Sequence, residues 1–476
     1  MTTEYITDKR GVLFSLTWPI FIETFLRMLF GSVDTFMLSG YSDKAVAGVG
    51  AANQYVSILV LLFQVVAAGS GIVISQHLGA KNYKKASEVT AVSIVFNLVF
   101  GLIISVILFI FAGRLLGIMD FEKDILNYSK EFLTILGSFS FCQALSCTIS
   151  AILRSHGYVK APMFVNMGAN ALNIIGDCIF IYGLFGLPVL GVKGVAMSTV
   201  FSQFVGLVMI FIIFMKKVDM RLGFKDVFLL SRSAVRNILG DILRIGAPSA
   251  GESLSYNLSQ VAITAIISTM GASALTARFY VFNLMLFIML FALSIGQSTQ
   301  ILIGHLIGAN RMEEAYKTCL RSFKISIAIS FITAVIFSVF SRGLLGMFTR
   351  DNEILSIGSM LLSITIILEP GRAFNIVLGS SLKGAGDARF IFILGLMSMW
   401  GVAVFLSYIF GIYLGLGLIG VWIAFAGDEW LRGIVMLIRW RSRAWEKMSV
   451  SVRDGGKHAP DSELCGNCAD VSLQRP

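Results

Sequence analysis

Long runs of apolar positions, broken by short polar or Gly/Pro-containing stretches, fill residues 11–441 of this 476-residue chain. Many runs reach about 18 residues, enough to cross a hydrocarbon layer about 30 Å thick as a helix. The strict alternation of barrel strands is missing. Backbone amides in lipid need partners within their own segment, so the pattern predicts an all-α membrane bundle. Taking the breaks as boundaries gives about twelve spans. In the first half they are 11–40, 45–76, 87–114, 124–152, 160–185 and 192–216. In the second they are 244–270, 273–304, 317–346, 352–381, 388–412 and 416–440. The predicted organisation is a polar tail 1–10, a six-helix unit 11–216, a connector 217–243, a second six-helix unit 244–441 and a polar tail 442–476.

The second unit repeats the first. Pro19 and Glu23 of "TWPIFIE" lie 229 positions before Pro248 and Glu252 of "GAPSAGE". The same offset links Gly79 with Gly308, and Leu153 and Gly157 of "LRSHG" with Leu382 and Gly386 of "LKGAG". A spacing held through loops and spans alike means one unit written twice. In a membrane chain that is the frame of a transporter whose site lies between two halves.

Composition and charge sharpen the picture. The chain is 56% hydrophobic and 14% charged, with mean hydropathy +0.81. Of its 38 basic residues, about 27 fall in the tails and in the loops after even-numbered spans. About eight fall in the loops after odd-numbered spans, which places both termini in the cytoplasm by the positive-inside rule. The net charge of +10 is therefore a topology signal, and nucleic acid is not an expected partner. The polar start and the length of the first run argue against a cleaved leader. Cys465 and Cys468 form a lone CxxC in the tail, a weak motif. Cys142, Cys147, Cys178 and Cys319 read as small core residues.

Polar residues inside spans are costly and therefore informative. Glu23, Arg27 and Asp34 share one face of the first span at spacings of four and seven. Glu23 and Arg27 can neutralise each other as an i,i+4 pair. Asp34 has no such local cation and is the better functional candidate. In the fifth span Asn166, Asn170, Asn173 and Asp177 draw a polar stripe at spacings of 4, 3 and 4. Interhelical hydrogen bonding would account for Asn166 and Asn170. Asp177 needs a proton, a cation or an ion. Ser198 and Thr199 follow in the sixth span. A pocket of Asp34, Asn173, Asp177 and Thr199 offers hard oxygen ligands, suited to H⁺ or Na⁺ and unsuited to a soft transition metal.

The copies differ here. At the 229 offset Asp34, Asn173 and Asp177 fall on Ile263, Val402 and Leu406. The second half instead has Glu252, and Glu369 with Arg372 around Pro370. Those two form an i,i+3 pair by spacing. Arg278 is expected to snorkel at the outer mouth. Arg27 and Arg372 read as the main intramembrane cations.

Together "SVDTFMLSGYSDKAVAGVG", "QHLGAKNYKKA", "LRSHGYVKAPM", "LNIIGDCIFIYG", "GVKGVAMSTV", "GAPSAGESLS", "IGANRMEEA" and "LKGAGDARF" resemble the multidrug and toxic compound extrusion (MATE) transporters over residues 11–440. The resemblance implies two six-helix bundles facing each other in a V. It implies efflux of organic, often cationic, compounds in exchange for H⁺ or Na⁺. It makes Asp34 a coupling carboxylate, and Asn173, Asp177 and Thr199 the lining of an ion or proton site. Pro19 becomes a bending point of the first helix. Tyr256 stands where some relatives carry a further acid, and Glu369 lies near the place of another.

The resulting expectation is a cell-membrane antiporter, working as a monomer on a small organic substrate among membrane lipids. Adaptable Met and Phe surface would hold the drug. No catalytic residue, cofactor or bound metal beyond the coupling ion is expected. A lipid or lipid-linked oligosaccharide flippase is the main alternative, and would call for a more cationic cavity. A membrane enzyme or a channel ranks lower: no DDxxD-like cluster, P-loop or metal-spaced His/Cys set lies in the spans.

Overall fold

The computed structural model describes residues 11–117, 122–183, 188–219 and 230–449, and every regular element among them is helical. Tail residues 1–10 and 450–476, with Cys465 and Cys468, lie outside the described residues. The first unit contains α1 (Gly11–Ser39), α2 (Asp43–Gly79), α3 (Tyr83–Leu116), α4 (Lys123–Ser138), α5 (Ser140–Ser155), α6 (Lys160–Tyr182) and α7 (Gly191–Lys217). Helices α4 and α5 form one span bent by 52°. The second unit contains α8 (Arg232–Ser268), α9 (Ala272–Gly308), α10 (Met312–Val339), the short α11 (Ser341–Gly346) and α12 (Asn352–Gly384). It continues with α13 (Ala388–Ser398), α14 (Phe405–Tyr408), flanked by π-helical turns at Met399–Val404 and Ile409–Tyr413, and α15 (Gly417–Arg441).

The repeat is visible to the residue. Helices α2 and α9 both have 37 residues, with both ends offset by 229. Gly157 and Gly386, paired by the same offset, take φ of 83° and 93°. That left-handed turn is open to glycine at little cost and explains why "LRSHG" and "LKGAG" share their last residue.

Among the described residues, nine helices are long and apolar enough to cross a membrane, and the α4–α5 pair makes ten. The remaining two expected spans, α8 and α15, carry too many polar residues for that test. Helix α8 starts at Arg232, inside the stretch expected as connector. Ser231 caps it by accepting from the Ala234 amide, and Val235, Ile238 and Leu239 lay an apolar face on Ala91 and Val92 of α3. The tail expected from residue 442 begins with a packed turn. Trp445 is fully buried and stacks on Trp440 with ring centroids 4.2 Å apart.

The bundles meet through α2, which packs on both α8 and α9, and through α1 on α9. The contact is tightest where α2, α5, α9 and α12 end. A Cβ on Gly79 would stand 2.1 Å from the His305 carbonyl oxygen, and one on Gly308 would stand 1.9 Å from that of Gln76. Beside this crossing, Gln76 donates to the Gly384 carbonyl at 2.9 Å. His305 Nε2 meets the Ser155 carbonyl at 2.7 Å, where the neutral ring donates. Gln76 and His305 are related by the repeat, and so are Ser155 and Gly384. Each half thus satisfies the exposed carbonyl end of a helix in the other.

Candidate functional site

Helices α6 and α7 place the fifth-span stripe against the sixth span. Gly176 makes this possible, because a Cβ there would lie 2.3 Å from Ser198 Oγ. Asn173 Nδ2 points at both oxygens of Asp177, each at 3.3 Å, at Ser198 Oγ at 3.2 Å and at Thr199 Oγ1 at 3.4 Å. Ser198 Oγ donates back to the Asn173 carbonyl at 2.8 Å. Asp177 is fully buried. Asp34, on α1, is near enough to act on Asp177 through its charge, and its Oδ1 is buried without a hydrogen-bond partner. Among the described residues neither carboxylate has an ion-pair partner. The four residues expected to form an oxygen-rich pocket therefore lie in one neighbourhood, with Ser198 as an added member.

A cavity of about 440 Å³ opens beside Asn173 and Thr199. It runs between the bundles from this pocket to Glu23, Arg27 and Arg154, and Gln297 and Gln300 of α9 form its far wall. Glu23 is the point where sequence and structure diverge. Its tightest partner is Arg154 of α5, at 2.5 Å, and Asn166 donates to it at 2.7 Å. Arg27 stands 3.6 Å away with 60% of its side chain exposed. The expected i,i+4 pair is thus the looser of two. The reason is burial: Glu23 faces inward one turn after Pro19, whereas Arg27 turns toward the cavity. The repeat carries this contact too. Glu252 pairs with Lys383 at 2.5 Å, and both are offset by 229 from Glu23 and Arg154. Pro19 is buried within α1, which continues through it as one helix.

The MatE family model matches residues 19–179 and again 248–409, one match per repeat unit. The chain belongs to the MatE family. It is 47% identical over 438 residues to "Uncharacterized transporter YisQ" of Bacillus subtilis, covering 92% of this chain and 95% of that one. It is 28% identical over 454 residues to "Probable multidrug resistance protein NorM" of Thermotoga maritima, covering 95% and 96%. The fold matches an outward-facing multidrug resistance MATE family transporter of the MOP superfamily with a TM-score of 0.84 and 23% identity, over 92% of this chain and 96% of that one. A MATE structure in the bent conformation matches with a TM-score of 0.86 and 23% identity, over 94% and 100%. The protein is a multi-pass membrane transporter of the two-bundle MATE fold.

The second bundle of this MatE transporter holds a different set of charges. Arg372 binds Glu369 at 2.5 Å, the pair expected from spacing, and reaches Glu429 of α15 at 3.4 Å. Arg432 binds Asp428 at 2.6 Å and Glu429 at 3.2 Å. Asn375 donates to Glu429 at 2.7 Å, and Ser398 donates to Asp428. Tyr256 lines a small void beside Arg372, Glu429 and Arg432. The α15 members were missed from sequence, although "GDEWLR" inside an apolar run carries i,i+4 and i,i+3 acid–Arg spacings. The arginines buried in the membrane region, among the described residues, are accordingly Arg278, Arg372 and Arg432, with Arg27 largely exposed. Arg278 does not snorkel. It is buried and donates to Thr264 at 2.6 Å and to Gln260 Oε1 at 3.1 Å, because α8 presents those acceptors to it.

Proposed function

We propose that this MatE protein is a secondary antiporter that exports organic molecules in exchange for H⁺ or Na⁺ bound at Asp34 and Asp177. One observation carries the reading. Asp34 and Asp177 are neighbours without ion-pair partners among the described residues, and Asn173, which donates to Asp177, also lines the large cavity between the bundles. Two such groups resist double ionisation, so a proton relieves them. Na⁺ would be met by carboxylate oxygen, the Thr199 hydroxyl and the Asn173 amide oxygen, once that amide turns. Either change moves Asn173, and a ligand in the cavity competes for the same amide. Loading the ion and holding the substrate thus oppose each other, as antiport requires.

Pro19 adds a mechanical element. It cannot donate to the Ser15 carbonyl, so α1 has a weak point one turn before Glu23. Charge neutralisation at Asp34 would release α1 to bend there. The close glycine crossing at Gly79 and Gly308 would have to part for the opposite state. The basic loops support a cytoplasmic location for both termini and for this crossing.

Transport of labelled organic compounds in proteoliposomes, with a pH or a Na⁺ gradient imposed separately, tests the proposal. One gradient should drive transport, and Asp34→Asn and Asp177→Asn should abolish that drive at matched protein levels. Transport that ignores both gradients, or that survives in both variants, would contradict it.

A further inference from the structure

The family resemblance points to lipophilic cations, yet the cavity wall points elsewhere. Its charged lining consists of Glu23, Arg27 and Arg154. Glu23 is held by Arg154, which leaves Arg27 as the surplus charge, largely exposed. The polar remainder is dominated by amides: five glutamines and three asparagines, from both bundles. Among the described residues, no Phe, Tyr, Trp or Met lines the cavity. A lipophilic cation binds through aromatic faces, apolar surface and unpaired acids. Among the described residues this wall offers no aromatic face and no unpaired acid, and its apolar part comes from aliphatic Ala, Val and Ile side chains. The expected Met and Phe contact surface lies elsewhere. Phe21 of α1 stacks on Phe291 of α9 and Phe25 meets Phe287 edge-on, and so both are used in closing the bundles together.

We infer that this cavity takes an organic anion rich in hydrogen-bonding groups, such as an acidic or phosphorylated sugar, with Arg27 as its charge partner. A guanidinium presents a planar fork that matches carboxylate or phosphate oxygens. Amide side chains both donate and accept, so they suit hydroxyls and carbonyls of either polarity. Gln64, Gln203, Gln297 and Gln300 surround the space from α2, α7 and α9. A volume of about 440 Å³ holds one small molecule. Asn173 at the far end would register that molecule's presence at Asp177. The inference rests on the proposed role of this cavity as the substrate site, and it narrows the substrate class.

Equilibrium binding to the purified full-length chain tests it without any ion gradient. The readout is ligand-dependent thermal stabilisation, which follows occupancy. The probes are glucuronate and glucose 6-phosphate, against tetraphenylphosphonium and ethidium. At least one anion should stabilise the protein saturably, and neither cation should. Carboxylate and phosphate are separated by which of the two anions binds more tightly. Arg27→Gln should weaken the anion tenfold or more, and Arg27→Glu should abolish its binding. Gln297→Leu, remote from the Glu23 contact, should weaken it several-fold and guards against a folding defect in the Arg27 variants. Stabilisation by the cations alone, by neither class, or by an anion with affinity unchanged in Arg27→Gln and Gln297→Leu, overturns the assignment. Loss of gradient drive in Asp177→Asn alongside cation-only binding would leave the antiport reading standing and remove this one alone.

Discussion

The two bundles share a backbone plan and the repeated pairs Glu23–Arg154 and Glu252–Lys383, but hold their other buried acids on opposite principles. In the first, Asp177 is met by an amide, with hydroxyls nearby, and Asp34 leaves an oxygen unpartnered. In the second, Glu369, Asp428 and Glu429 are locked to Arg372 and Arg432. A carboxylate with neutral partners can gain or lose a proton or cation without stranding a neighbour. Neutralising a carboxylate in the second cluster would leave a buried guanidinium short of its partner, a costly state. Duplication thus supplied the scaffold, and the copies diverged in whether these acids are paired with arginine.

The sharpest way to break this comparison is to remove one cation. Arg432→Leu leaves Asp428 and Glu429 buried with their main partner gone and should cost about 3–5 kcal/mol. Little folded protein should survive on size-exclusion chromatography, whereas Asp177→Asn should fold near normally. Equal yields of the two would erase the distinction.

Next in size is the crossing that joins the halves. Gly308→Val puts carbon where the Gln76 carbonyl oxygen stands. Overpacking of this kind costs about 1–3 kcal/mol. It should also raise maleimide labelling of a cysteine placed at Ser75, beside Gly304. Unchanged labelling would show that the contact does not seal this end.

The duplicated ion pair allows a finer contrast. The Glu23 side chain is 1% exposed and that of Glu252 16%. Glu23→Gln should therefore destabilise by about 1–3 kcal/mol, and Glu252→Gln by no more than about 1 kcal/mol. Thermal melts of both variants decide it, and the reverse order would refute the burial argument.

The smallest expected effect lies in the turn after α5. Burial lowers the pKa of the His156 imidazole below its ordinary 6.5. The folded state binds that proton less readily than the unfolded chain. The contribution is complete above about pH 6.5 and is lost as pH falls below it. His156→Gln should flatten the stability–pH curve in that window.

The spans were legible because hydropathy and breaks are local signals. The stripe Asn173–Asp177 was legible because helical spacing is local too. What escaped was long-range. Glu23 finds Arg154, 131 residues away, and only the repeat of that pair as Glu252–Lys383 hints at it. The α15 cluster escaped because the first copy has no acid or arginine at the matching positions, although the repeat continues there at a changed offset. "LGVKGV" begins at Leu190 and "LGLIGV" at Leu416, 226 positions apart. At that offset Asp428 and Glu429 fall on Ser202 and Gln203 of the first bundle. Nor can hydropathy tell which face of a span meets the cavity, so the amide-rich lining became visible only in three dimensions.

The central claim is that the coupling ion binds in the first bundle alone. The direct test compares Asp177→Asn with Glu252→Gln and Glu369→Gln in the same proteoliposomes, over a range of pH and Na⁺ gradients. Asp177→Asn should lose the gradient response entirely. The two Glu variants should keep the wild-type dependence on the ion, with changed maximal rate at most. If either Glu variant loses ion dependence while Asp177→Asn retains it, the coupling site belongs in the second bundle and the account is wrong.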